Sequence, residues 1–347
     1  MQQVYKHKNY LIFLDNNYIK KLLNRNIKKY FPGFVKCVKV ESQHFRVLAA
    51  TSFLVRYFVT LQTKHGHEWT VRIRGNRLNP TSYKIIQHLW NKHKYKNYCY
   101  PRPIYYFKKK RFILYENYDG MIYRNYHKKG QYFFNKTIPM IAKRLADLHQ
   151  AKTSLAKTRT LKQEFDYLDE ILAKIKKHNK KFYPAAFKTA DVIKAYIKIN
   201  YEPKKFTLIH NDFQASNIIY NRRESTLGFI DFEQFCRFFP AADLATFIIH
   251  LQTAIHSLYP KKTIRSFQRK FIREYGKYTT KKNLAKIEED LPYFTARCFI
   301  DILAVSNVYL NLSRKHKRRK QFKGFIKYLE EEIKNLLPLL AKPKESD

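Results

Sequence analysis

Two stretches constrain this chain more than any other: "LIHNDFQASNIIY" (Leu208 to Tyr220) and "GFIDFEQF" (Gly228 to Phe235). Each sets polar side chains against an apolar run, His210, Asp212 and Asn217 in the first and Asp231 in the second. An acid at the end of a buried strand costs solvation free energy unless something cationic holds it. Two acids and an amide carbonyl this close in sequence therefore point to a metal ion that carries phosphate.

Phosphoryl transfer from a nucleotide leaves a protein little covalent work. It needs a base near the acceptor hydroxyl, oxygen ligands for magnesium, and cations along the phosphates. In a catalytic loop of the form H-R-D-x-x-x-x-N, the Asp takes the hydroxyl proton and the Asn binds metal. His210-Asn211-Asp212 precedes Asn217 with the same Asp-to-Asn spacing. Asp231 follows the short apolar run Gly228-Phe229-Ile230, where a second metal-binding Asp belongs.

At 347 residues the chain is long enough for one large domain or two lobes, and 45% hydrophobic composition excludes a disordered polymer. Lys and Arg number 69 against 27 Asp and Glu, a net charge of +42 that attracts phosphate-bearing partners. Cys37, Cys99, Cys236 and Cys298 form no C-x-x-C pair, which excludes a zinc or disulfide framework and suits a reducing compartment. The stretch "MQQVYKHKNYLIFLDNNYIKK" has too short an apolar core for a signal peptide, and Leu244 to Pro260 falls short of a membrane span. A cytoplasmic location, with peripheral attachment to a membrane surface as an option, is the expectation.

From about Val40 to Glu116 the pattern is strand-like. "FRVLAATSFLVRYFVTLQT" is rich in β-branched and aromatic residues, "KHGH" reads as a hairpin turn, and "EWTVRIRG" follows as another strand. "NPTSYKIIQHLWNKH" reads as a helix capped by Asn79, and "IYYF" and "RFILYE" as two more strands. The order is three strands, a helix and two strands. Past "ENYDG" the character is helical, with "TIPMIAKRLADLHQ" and the segments 161–178, 185–200, 240–257, 263–276, 283–310 and 321–340 expected as helices.

"HNDFQASNII" and "FIDFE" closely resemble the paired motifs of the aminoglycoside phosphotransferase and choline kinase-like family, small-molecule kinases with a protein-kinase-like fold. Four further stretches are similar to the family in the right order: "TVRIRG", "LYENYDG", "RLADLHQ" and "FPAADLATF". The resemblance spans roughly residues 40 to 310 and implies a bilobal α+β fold. A β-rich nucleotide-binding lobe, 1–117 with an extension 1–38, would precede a helical catalytic and acceptor-binding lobe, 118–347. It implies ATP and Mg2+ as cofactors, Asp212 as catalytic base or hydroxyl-orienting group, and Asn217 and Asp231 as metal ligands. Arg72 is the phosphate clamp by this resemblance, with Arg74, two residues on and on the same strand face, as the alternative. Ser52 in the first hairpin, Glu116, Asn117 and Tyr118 at the hinge, and Ile230 are the remaining nucleotide-binding candidates.

The chain also departs from the pattern. "VLAATSFLVRY" has no glycine, no A-P-E stretch follows, and "NPTSYKII" lacks the Glu that would pair with the strand cation. Arg72 should then depend on phosphate for its order. His210 reads as a buried residue that orders the loop, Asp243 as an acceptor of backbone donors at a helix start, and Glu233 as either a supporting carboxylate or a solvent-facing one. The function expected is transfer of phosphate to a hydroxyl of a small-molecule or lipid-linked acceptor, anionic if the surface charge delivers it. The alternative is a catalytically weak kinase-like scaffold that contacts RNA or anionic membrane non-specifically through basic runs such as Lys108 to Arg111 and Arg314 to Lys320.

Overall fold

The computed structural model describes residues 11–49, 52–93, 100–126, 128–312 and 316–340. The chain forms two compact units, Met1–Tyr123 with Asn217–Gln234, and Arg124–Ser216 with Phe235–Asp347. The class is α+β, with the sheet in the N-terminal part and helices dominating the C-terminal part.

In the first unit, α1 (Asn16–Arg25) and α2 (Ile27–Tyr30) precede an antiparallel sheet of β1 (Phe34–Ala49), β2 (Ser52–Thr63), β3 (Glu68–Arg77), β4 (Pro103–Phe107) and β5 (Phe112–Glu116). The strands lie in the order β1-β2-β3-β5-β4, with α3 (Pro80–His93) inserted between β3 and β4 in sequence. The succession of three strands, one helix and two strands is the one read from the hydrophobic pattern. β1 begins at Phe34, six residues before the strand-like pattern becomes clear, because its first residues pair with the end of β2 at Thr63. The turn at Gly66 (φ +82°) closes the β2–β3 hairpin, where Thr63 donates to the His67 carbonyl at 2.9 Å. Asn79 caps α3: its Oδ1 accepts from the Ser82 amide at 2.8 Å.

Within the extension 1–38, the described residues 11–38 carry structure that the basic composition conceals. Asp15 caps α1 by accepting from the amides of Asn17 and Tyr18 at 2.9 and 3.0 Å. Phe13, Ile19, Leu22, Leu23, Ile27 and Phe31 are buried in one cluster with Val55, Tyr57, Val59 and Phe112 of the sheet. Asn24 binds the backbone of Cys37 in both directions, at 2.7 and 3.0 Å, and the Tyr57 hydroxyl donates to the Phe13 carbonyl at 2.5 Å. The sheet therefore draws on residues 13–31 for part of its core.

The second unit contains α4 (Gly130–His149), α5 (Leu161–His178), α6 (Tyr183–Ile199), α7 (Ala241–Ile255), α8 (Lys261–Gly276), α9 (Lys281–Leu312) and α10 (His316–Leu340). α4 and α10 start seven and five residues before the positions read from periodicity, the other ends fall within two residues of them, and α5 matches at both ends. Thr160 starts α5 with a capping box shared with Gln163. Inside the unit, Glu164 is fully buried between Arg159, at 2.5 Å, and Arg297 of α9, whose guanidinium also lies 4.6 Å from the Tyr167 ring centroid. A short pair of strands, β7 (Thr207–Ile209) and β10 (Cys236–Phe238), is set among the helices.

Because α1 is part of the core, Leu23→Ala should destabilise the protein by about 2–5 kcal/mol, the cost of a cavity at a fully buried leucine. Lys21→Ala on the exposed face of the same helix should be nearly neutral. Urea unfolding of the two variants checks this.

Candidate active site

The site residues divide between the units at the peptide bond joining Ser216 to Asn217. Asp212 belongs to the second unit, Asn217 and Asp231 to the first.

In the second unit, β7 ends at Ile209 and the chain turns sharply through Asn211, whose φ of +61° lies in the left-handed region. Asn tolerates that conformation better than most residues, and such strain persists only where neighbours fix it. What fixes it is Asp243 at the start of α7. Its fully buried carboxylate accepts from the His210 amide at 2.7 Å and the Asn211 amide at 2.8 Å. The His149 Nε2 lies 3.1 Å from the same carboxylate and must donate to it, since a carboxylate only accepts. The His149 Nδ1 meets the Tyr275 hydroxyl at 2.8 Å. Burial, then the charge of Asp243, pushes the Tyr275 phenol up, so it stays a neutral donor. His210 itself is fully buried against the rings of Phe213 and Phe235, which suits a residue that orders the loop.

Asp212 follows, half-buried, with its Oδ1 accepting from the Gln214 side chain at 2.9 Å. It lines a cavity of about 580 Å³ together with Arg124, His250, Asp301, Tyr309 and Phe325. Burial and the Arg124 guanidinium hold His250 down to about 4, so it is neutral near pH 7. Burial pushes Asp301 up, while a hydrogen bond from Tyr167 and the charge of Arg297 act against that.

In the first unit, Asn217 enters β8 (Ile218–Asn221), which pairs with β9 (Thr226–Phe229). The Ile230 amide donates to the Asn217 carbonyl at 3.0 Å, so the buried Asn217 and Ile230 stand side by side at the open end of this hairpin. Asp231 comes next, exposed and again left-handed at φ +68°. Partial desolvation, then the charge of Asp231, pushes the Glu233 carboxyl up, with Arg77 acting against both. The Glu233 carbonyl accepts from the Asn79 side chain at 3.2 Å, which ties this segment to the start of α3.

The hinge residues are bound to the same hairpin. β6 (Met121–Ile122) pairs with β8, and the Tyr118 ring packs flat on Gly228, where a Cβ would lie 2.5 Å from the ring. Glu116 pairs with Arg102 at 2.9 Å, and the amides of Glu116 and Asn117 are committed to the Arg102 and Arg72 carbonyls.

Arg72 has a partner that the sequence did not suggest. The helix α3 carries no acid, and Asp119 in the hinge takes its place, 3.1 Å from the guanidinium. Both side chains are more than half exposed, so the pair is worth at most about 1 kcal/mol and yields readily to phosphate. Arg74 is half-buried, and its Nε has no hydrogen-bond partner among the described residues. Directly across the β2–β3 pairing stands Arg56, which sequence reasoning missed. Partial burial and the charges of Arg74 and Arg72 pull Arg56 down from its ordinary value, with Tyr115 opposing. A lone Arg in the apolar run "FLVRYFV" was the signal that could have found it. Ser52 opens β2, and its side chain lies outside the described part, as do Ala50 and Thr51 before it.

Residues 131–337 match the family model of choline/ethanolamine kinase. The chain belongs to the choline/ethanolamine kinase family. Its members are kinases, phosphotransferases with an alcohol group as acceptor, the class that the loop motifs suggested. Among curated proteins, an ethanolamine kinase of Drosophila melanogaster is 25% identical over 178 residues, 46% of this chain. That match spans 34% of the relative, about a third of its length. Among solved structures, the ethanolamine kinase of Plasmodium vivax superposes with a TM-score of 0.56 at 18% identity, covering 99% of this chain and 89% of that one. The choline kinase of Cryptosporidium parvum gives 0.56 at 15% identity, over 93% and 96% of the two chains. At these identities the structural likeness speaks for the fold.

Asp243→Asn replaces an acceptor with an amide whose NH2 faces donors, so it should cost about 1–3 kcal/mol and lower turnover by loosening the loop. Tyr275→Phe, which removes only the outermost hydrogen bond, should cost about 1 kcal/mol. Thermal unfolding and initial rates of both variants check the ranking.

Proposed function

We propose that the protein transfers the γ-phosphoryl group of ATP to the hydroxyl of a small amino alcohol of the choline or ethanolamine class. The observation that carries this reading is the cavity shared by Asp212 and Asp301. An ammonium group beside Asp301 restores the charged carboxylate that burial opposes, and the faces of Tyr309 and Phe325 offer further attraction for a cation. With His250 neutral, Arg124 is the cavity's one lining cation among the described residues. Asp212 orients the acceptor hydroxyl and takes its proton as the oxygen bonds to phosphorus and ADP departs.

Arg72 and Arg74, with Arg56 beside them, clamp the phosphates, and the 116–118 hinge with Ile230 bounds the adenine. Nucleotide binding thus falls to residues 1–117 together with the 217–234 hairpin, and acceptor binding to the rest of the 118–347 segment. Asn217 and Asp231 would hold Mg2+. The donor set fits: one carboxylate and one amide oxygen leave a magnesium ion to complete its shell with phosphate and water, its usual arrangement in nucleotide sites. Among the described residues no group of three or more His, Cys, Asp or Glu could cage a metal by itself. When bound, the ion would neutralise charge on the phosphates.

The described cysteines, Cys37, Cys236 and Cys298, are free thiols, in keeping with a cytoplasmic location. No helix among the described residues is long and apolar enough to cross a membrane. The reading of a weak scaffold that contacts RNA or anionic membrane draws its support from the +42 charge, much of it on exposed residues such as Lys108, Lys109 and Arg111.

The two readings separate in one experiment. A kinase is stabilised by ATP with Mg2+ in a thermal-shift series and turns over choline or ethanolamine, whereas the scaffold does neither. Asp212→Asn should lower kcat roughly a hundredfold with ATP binding near normal, and Asp231→Asn should weaken ATP·Mg2+ binding as well. Asp301→Asn should chiefly raise the KM for the amino alcohol. Turnover of a neutral polyol in preference to both amino alcohols would overturn the acceptor assignment.

The arginines give a further test. Arg74→Ala and Arg72→Ala should both raise the KM for ATP, Arg74→Ala by more, because its buried Nε has no other partner whereas Arg72 rests on Asp119. Steady-state kinetics in ATP checks the order.

A further inference from the structure

A second cavity, of about 730 Å³, lies in the first unit where the end of α2, the helix α3 and the edge strand β4 come together. None of Arg56, Arg72, Arg74, Asn217 or Asp231 lines it. Its walls combine two chemistries. Tyr83, Trp90, Tyr105 and Tyr106 supply aromatic surface, and the Tyr83 and Tyr106 rings stack on one another at 4.4 Å and 10°, which leaves each ring one outer face. Lys29, Lys108 and Lys109 stand exposed at the rim, none with an acidic partner among the described residues. Arg102 also lines the cavity but is engaged by Glu116. No Asp or Glu is among the described residues that line it.

Cations without counter-charges attract phosphate, and flat aromatic faces between them bind the one common polyanion that carries planar groups. A bilayer needs apolar groups that protrude into it, and these rings line a concavity instead. A pure polyanion such as polyphosphate uses the lysines and leaves the rings idle.

We propose that this cleft binds a short run of single-stranded nucleic acid, bases against the rings of Tyr83, Trp90 and Tyr106, phosphates along Lys29, Lys108 and Lys109. The proposal does not depend on the phosphotransfer reading, although Trp90 and Arg102 also line the cavity beside residues 116–119.

The chain has two tryptophans, so Trp69→Phe leaves Trp90 as the sole reporter. That variant is titrated with a uridine dodecamer in the presence of saturating ATP and Mg2+, which keeps the oligonucleotide out of any nucleotide site. The Trp90 emission should quench saturably, with affinity falling steeply as salt rises. Adding Lys29→Glu, Lys108→Glu and Lys109→Glu should weaken binding at least about tenfold at low salt. The same change should flatten the slope of log K against log salt by about 2, three phosphate contacts at about 0.7 each. Thermal unfolding of this variant should match that of Trp69→Phe alone, which shows that it is folded. Polyphosphate should bind at least about tenfold more weakly than the dodecamer, since it forgoes stacking worth about 1–3 kcal/mol per base. The proposal is overturned by any of four results: no binding at low salt, binding without a change in Trp90 emission, binding indifferent to the three charge reversals, or anionic phosphatidylserine vesicles quenching Trp90 as strongly as the dodecamer does.

Discussion

One buried carboxylate organises the loop that carries Asp212. Asp243 has no solvent contact, and its charge is tolerable only because three donors converge on it, the amides of His210 and Asn211 and the His149 ring. Two of these donors are backbone groups of a turn that must run through a left-handed residue, so the acid fixes the turn and the turn aims Asp212. His149 closes α4 and Tyr275 lies near the end of α8, so the same cluster fastens two long helices to the loop. A change in any member is felt at Asp212 through the backbone, without contact with a substrate.

The first unit solves a comparable problem with close packing. The hinge and the β8–β9 hairpin approach so tightly that Gly228 leaves no room for a side chain under Tyr118. At Gly120, φ is +138° and a Cβ would sit 2.6 Å from the Tyr220 carbonyl oxygen. In a chain with only 8 glycines, placing two of them here shows where backbone approach is not negotiable. The β6–β8 pairing and the Asn79 bond to the Glu233 carbonyl complete the attachment. The segment that carries Asn217 and Asp231 is thereby built into the sheet-bearing unit, although the chain reaches it only after α4, α5 and α6.

The positive charge is distributed in two ways that differ chemically. Arg56, Arg72 and Arg74 crowd one face of β2 and β3, close enough to perturb one another, which is costly unless an anion joins them. Lys29, Lys108 and Lys109 are exposed and cost nothing to hold apart, yet they rim aromatic surface that water solvates poorly. The first arrangement suits a compact, highly charged group such as a nucleotide's phosphates. The second suits a longer and more weakly charged ligand with planar groups.

The sequence by itself determined the kinds of element and the chemistry of the loops. Strand alternation through "VRIRG", helical periodicity through α5 and α7, the Asn79 cap and the spacing of Asp212 and Asn217 are local patterns, set by side chains within a few residues of one another, and Asp231 follows in its own short motif. It did not reveal that residues 13–31 complete the core of the sheet, since an amphipathic helix announces an apolar face and not the surface that the face meets. Nor did it reveal that Asp119 replaces a helix glutamate, that Arg56 stands across from Arg74, or that His149 and Tyr275 hold Asp243. Those contacts join residues from 18 to 126 positions apart. They exist only once strand register and helix packing have been fixed, because hydrogen bonds and charge pairs act over a few ångströms and carry no trace along the chain.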